Sequence, residues 1–144
     1  MLVNGFGHVA VATEDLRRLA GFYREIFGAT VVGHVPETDE QPQHAFFRVG
    51  PTTVLHVFEQ PRRIRRGRGS VFDHGPVDHF TLEATTPEAF EEIRRRLEAG
   101  GHEPSEVRDF GPLRSVFFRD PDGLLVEVSL WTRPPGPELE PEPA

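Results

Sequence analysis

The chain has 144 residues, 37% of them hydrophobic and 27% charged, with a formal net charge of −7. That is room for one domain or two small modules with a real core, so a disordered protein is excluded, and the negative charge speaks against nucleic acid or anionic lipid as the main partner. No cysteine is present and all sixteen basic residues are arginine, which excludes thiolate metal sites, disulfides, cysteine nucleophiles and lysine Schiff-base chemistry.

In chain order, the first strand is expected at 3–12, where alternation puts Phe6, His8, Ala10 and Ala12 on one face. A helix follows at 15–28, with Leu16, Leu19, Ala20, Tyr23, Ile26 and Phe27 in one stripe and Gly28 as its stop. Strands are expected at 30–35, 44–49 and 53–58, then an Arg-rich loop at 61–76. The order then repeats. A strand at 77–84 leads to Thr86-Pro87, an N-cap with proline at the first helical position, and a helix running to Ala99 before Gly100-Gly101. Strands at 105–109, 114–119 and 124–131 complete the folded part. The Pro- and Glu-rich tail 134–144 is expected to be disordered. No run reaches 18 apolar residues, and the N-terminus lacks a basic flank before an apolar stretch, so no membrane span and a cytoplasmic location are expected.

The repeat has a constant offset. His8 and His79, Phe46-Phe47-Arg48 and Phe117-Phe118-Arg119, His56 and Glu127, and Val57 and Val128 are each separated by 71 positions. The chain therefore reads as a duplicated βαβββ unit, with modules at 1–60 and 77–133. Each module carries a potential ligand on its first strand and another on its last: His8 and His56, then His79 and Glu127. Three imidazoles and a carboxylate suit Fe²⁺, Zn²⁺, Ni²⁺, Co²⁺ or Mn²⁺. A glutamate between Val126 and Val128 either faces solvent or has a cation, because an unpaired buried carboxylate is costly.

The segments GFGHVAV at 5–11, FYREIFG at 22–28, VDHFTLEA at 77–84 and FFRDPDGLLVEV at 117–128 carry a resemblance to the vicinal oxygen chelate superfamily. That superfamily includes glyoxalase I, extradiol dioxygenases, fosfomycin-resistance thiol transferases, methylmalonyl-CoA epimerase and bleomycin-binding proteins. The resemblance spans residues 3–131. It implies an α+β fold, with two βαβββ modules curling into a half-open mixed β-barrel with the helices outside. It also implies one divalent metal ion per site, held by His8, His79 and Glu127, with His56 at a more variable fourth position. A homodimer is expected, in which the site can be shared between chains.

Two departures from the family pattern bear on the reaction. Thr52 and Thr53 stand where extradiol dioxygenases resembling this chain carry a histidine, and Phe118 stands where they carry a tyrosine. Ring cleavage without those proton-handling groups ranks behind other chemistries. The reading is a metal-dependent enzyme acting on a small substrate that chelates the ion through adjacent oxygens, either glyoxalase-, isomerase- or lyase-like or a non-haem Fe(II) oxygenase, with Glu127 and His56 as the residues that move protons. The alternative is a metal-free protein that sequesters a small drug in the same cleft. Phe58, Thr81, Phe110 and Phe118 are the expected substrate-pocket residues. Glu83 and the cluster Arg62, Arg63, Arg65, Arg66 and Arg68 are read as solvated, Asp120 and Asp122 as a turn, and His34, His44, His74 and His102 as having no role.

Overall fold

The computed structural model describes residues 7–60 and 79–132. They belong to two compact units, Met1–Ser70 and Val71–Ala144. The Arg-rich loop at 61–76, with its arginine cluster and His74, and the tail at 134–144 lie outside the described residues. So do positions 3–6 of the first expected strand and 77–78 of the fifth.

The first unit contains β1 (Val9–Thr13), α1 (Leu16–Phe27), β2 (Thr30–Val35), β3 (His44–Arg48) and β4 (Val54–Glu59). The second contains β5 (Phe80–Glu83), α2 (Pro87–Ala99), β6 (Arg108–Asp109), β7 (Leu113–Arg119) and β8 (Leu125–Trp131). Each is βαβββ, and the chain is α+β. Among the described residues no helix is long and apolar enough to cross a membrane.

Local chemistry sets the helix ends. The Asp15 carboxylate accepts from Arg18 N at 2.9 Å, and the carboxylate of Glu59 accepts from Leu16 N at 2.7 Å, so two of the free N–H groups at the start of α1 are satisfied. Gly28 closes the helix at φ 70°, a conformation that costs glycine nothing. The buried stripe of α1 is Leu16, Leu19, Phe22, Tyr23 and Ile26. Phe22 replaces the expected Ala20 and Phe27, which are half-buried. In α2 the Thr86 hydroxyl accepts from Ala89 N at 3.1 Å, Pro87 occupies the first turn, and Phe90 and Leu97 are buried.

The two sheets have the same order, β1-β4-β3-β2 and β5-β8-β7-β6, with the first pair parallel and the others antiparallel. The 71-residue offset extends into the register. Ala10 pairs with His56 and Thr81 with Glu127; Phe46 pairs with His56 and Phe117 with Glu127. Even the N-caps, Asp15 and Thr86, obey it. The offset slips only between the helix and the third strand of each unit, and is regained at β3 and β7. There β6 is two residues long, starting later than expected, because Ser105 bonds Phe117 through its own N–H and side-chain hydroxyl before the ladder begins.

Alternation then separates a core face from a second face in each unit. In the first, Ala45, Phe47, Leu55 and Val57 are fully buried, and the Phe47 ring lies 6.2 Å from Tyr23 of α1. In the second, Val116, Phe118, Val126 and Val128 are buried, and Arg114 of the same strand face lies over the Phe90 ring of α2. Each such Leu, Val or Phe contributes about 1.5–3 kcal/mol by leaving water. The opposite faces carry the polar and aromatic residues that matter for chemistry.

Candidate metal centre

Glu127 sits in the middle of β8, the central strand between β5 and β7, and is only 6% exposed. Its carboxylate is not left unpaired. Thr81 donates its hydroxyl to Oε2 at 2.7 Å, Ser115 donates to Oε1, and His79 Nε2 lies 3.0 Å from Oε2. The alternatives read from the sequence, solvent or a cation, thus omitted a third: two hydroxyls and an imidazole supplied by the flanking strands. His79, just before β5, keeps 30% of its side chain exposed, so solvent reaches the His79–Glu127 pair. The Phe117 ring stands edge-on to His79 at 5.7 Å.

His56 occupies the equivalent place on β4 in very different surroundings. Phe46 stacks on its ring at 4.2 Å and 21°, Phe58 lies at 4.2 Å, His44 at 5.0 Å and His8 at 5.3 Å. Its Nε2 is buried and has no hydrogen-bond partner among the described residues. Burial, then the neighbouring His44 and then His8, lower its pKa below the ordinary 6.5, so the ring is held neutral with a lone pair to offer. An orphaned buried nitrogen is costly unless something binds it. In the second unit a carboxylate and an imidazole are already adjacent. Nitrogen and carboxylate oxygen are the donors a borderline divalent ion takes, so these residues fit such an ion. Within each unit the described ligand candidates come as a pair rather than as a group of three or more.

The expected pocket residues divide. Phe58 is beside His56 and Thr81 is on Glu127, as just described. Phe118 is not on the Glu127 face. Its register partner is Val126 and it is buried on the α2 side, so the aromatic that accompanies the ligand pair is Phe117. The absence of a tyrosine hydroxyl at Phe118 therefore says nothing about proton handling at Glu127. Phe110 is 54% exposed, at the turn where Asp109 accepts from Gly111 N. Glu83 is exposed opposite Ser129. Asp120 forms the expected turn, accepting from Asp122 N at 3.0 Å and Leu124 N at 2.9 Å, and burial raises its pKa.

Two residues were missed. His44, assigned no role, opens β3, is 7% exposed, and donates Nδ1–H to the Pro42 carbonyl at 3.1 Å while its ring faces His56. Ser115 stands 71 positions later, at the same place relative to Glu127. The offset that paired the ligands also paired these two, and each lies twelve residues before its ligand.

The family model for the Glyoxalase/Bleomycin resistance protein/Dioxygenase superfamily matches residues 5–128. The metallothiol transferase FosB of Shouchella clausii is 29% identical over 137 residues, covering 91% of this chain and 83% of that protein. The manganese-dependent 2,3-dihydroxybiphenyl 1,2-dioxygenase of Geobacillus genomosp. 3 is 27% identical over 128 residues. That match covers 85% of this chain but only 35% of the dioxygenase. A glyoxalase/bleomycin resistance protein/dioxygenase domain from Frankia sp. EAN1pec has a like fold, with a TM-score of 0.74 at 18% identity over 93% of this chain and 96% of that one.

Proposed function

We propose that this chain, which belongs to the glyoxalase/bleomycin resistance protein/dioxygenase superfamily, is a metal-dependent enzyme for a small substrate that chelates the ion through neighbouring oxygens. The observation that carries the reading is the pair of register-equivalent positions, His56 with an unpartnered buried Nε2 and Glu127 with His79 at 3.0 Å. Relatives named as a metallothiol transferase and a manganese-dependent dioxygenase support a metal; they also show that the family name does not select one reaction.

In this proposal His8, His79 and Glu127 hold the ion, and His56 is the fourth ligand or an acid/base beside it. A bound divalent ion would supply Lewis acidity toward substrate oxygens. Three neutral imidazoles and one carboxylate leave a net positive site, which suits an anionic chelating substrate. Phe46 and Phe58 shield the His56 ring from water. As an acid/base, His56, whose Nε2 has no hydrogen-bond partner among the described residues, would hold or move a proton near the substrate. Edge strand β2, with Val31 and Val32 exposed, is consistent with closure against another chain, and light scattering at micromolar concentration is expected to give a dimer mass.

Elemental analysis of protein purified without added metal is the test. Close to one equivalent per chain, or its recovery on reconstitution, is expected. Less than about a tenth of an equivalent with no gain on reconstitution would favour metal-free sequestration of a small apolar ligand, for which the ring-lined face of the first unit is suited.

A further inference from the structure

We propose that Ser115 and Thr81 are positioning residues that clamp Glu127 as a stationary ligand offering Oε2, rather than as a mobile base. This rests on the metal-dependent reading above and goes beyond it by assigning the carboxylate a fixed role.

The clamp follows from register. β8 is flanked by β5 and β7, and each neighbour sends one hydroxyl to the same carboxylate. Thr81 is the direct partner of Glu127 across the parallel pair and donates to Oε2 at 2.7 Å. Ser115 lies diagonally across the antiparallel pair, two residues from the direct partner Phe117, and donates to Oε1. An ionised carboxylate only accepts, so both hydroxyls must spend their protons on it. Ser115 is fully buried, hence no water competes for Oε1. Oε1 is engaged from one side and Oε2 from the other, so rotation about the terminal bond would break both contacts. His79, at 3.0 Å from Oε2 and half-exposed, marks the side on which the carboxylate remains open.

The fold alone does not produce this arrangement. In the first unit the equivalent positions are Ala10 and His44, neither of which carries a hydroxyl, and among the described residues His56 Nε2 has no hydrogen-bond partner. A carboxylate gripped on both oxygens does not leave an ion to carry a carbon-bound proton. The proton-moving role then falls outside Glu127.

The test titrates Mn²⁺ into the full chain, reading free ion by electron paramagnetic resonance, with thermal unfolding of the metal-free protein measured alongside. Ser115→Ala and Thr81→Val are each expected to weaken Mn²⁺ binding by about 10–100-fold, the range for groups that orient a ligand. Thr81→Ser, which keeps the hydroxyl, is expected to restore binding close to that of the unmutated chain. Lost thermal stability with unchanged affinity would show a purely structural role and overturn the clamp, as would unchanged affinity in both variants. Should Ser115→Ala fail to fold, Thr81→Val, at an exposed position of β5, decides alone. If the unmutated chain and Glu127→Gln bind Mn²⁺ equally weakly, the metal reading itself falls, and the clamp with it. That failure appears before any hydroxyl is touched.

Discussion

The two units share strand order, register and helix caps, yet they surround their equivalent side chains in opposite ways. His56 is packed among rings, with Phe46, Phe58, His44 and His8 within 5.3 Å of its centroid. Glu127 is packed among donors, with Thr81, Ser115 and His79 on its oxygens. Backbone hydrogen bonds make the sheets alike; the apolar core lies on the face toward the helix, so the side chains of the other face are free to differ in chemistry. The duplicated architecture thus supports a division of labour, in which one module grips and the other adapts.

Glu127→Ala should break that comparison most severely. It removes the sole carboxylate of the proposed set and leaves the Ser115 hydroxyl buried without its acceptor. Metal content is expected to fall to near background. The metal-free protein is expected to lose about 1–3 kcal/mol of stability, the cost of an abandoned buried donor. Full metal retention in the purified variant would remove Glu127 from the ligand set.

His56→Ala is expected to act differently. Among the described residues nothing depends on its Nε2 for a hydrogen bond, so the variant should fold, keep part of its metal, and lose mainly turnover. His8→Ala or His79→Ala, by contrast, should remove most metal. Metal loss as complete in His56→Ala as in Glu127→Ala would make the two modules equal ligand donors and end the distinction. His56→Glu tests the converse. A second carboxylate should shift preference toward harder ions such as Mn²⁺, read as relative affinity against Zn²⁺.

The paired phenylalanines give a smaller effect. Phe46 stacks face-on over His56, whereas Phe117 stands edge-on and farther from His79. Ring pairs are worth about 0.5–1.5 kcal/mol beyond their buried area, so Phe46→Ala should destabilise the metal-free chain more than Phe117→Ala. Chemical denaturation of the two variants side by side checks the order.

These contrasts also show what the sequence could reveal. The order of elements, the end of α1 at Gly28 and the start of α2 at Thr86-Pro87 are legible because hydrophobic periodicity and these residues act locally, and the candidate ligand positions stand out because a duplicated chain states each signal twice. Face assignment was harder. Two adjacent phenylalanines at 117 and 118 look alike in sequence, and a one-residue change of register exchanges their faces; only the pairing of Glu127 with Phe117 puts Phe118 in the core. Ser115 and His44 were passed over for another reason. A single serine or a turn-adjacent histidine carries no periodic signal, and each gains meaning only from its neighbour across the ladder.

The last and smallest effect is a pH dependence confined to the first unit. His56 titrates below its ordinary 6.5 because burial, His44 and His8 disfavour its charged form. Between the lowered folded value and 6.5 the unfolded chain binds more protons at this residue than the folded one. Stability must therefore fall as pH drops through that window. The contribution is intact above 6.5 and lost once the pH lies below the lowered value. His56→Phe, which keeps a ring among Phe46 and Phe58 but cannot titrate, should flatten this part of the profile of the metal-free protein. As pH falls from neutral to mildly acidic, the thermal midpoint of the unmutated chain is expected to drop relative to that of the variant. An equal slope in both would mean that the ring-packed histidine is not the group that charges, and the contrast between an adapting module and a gripping one would lose its electrostatic basis.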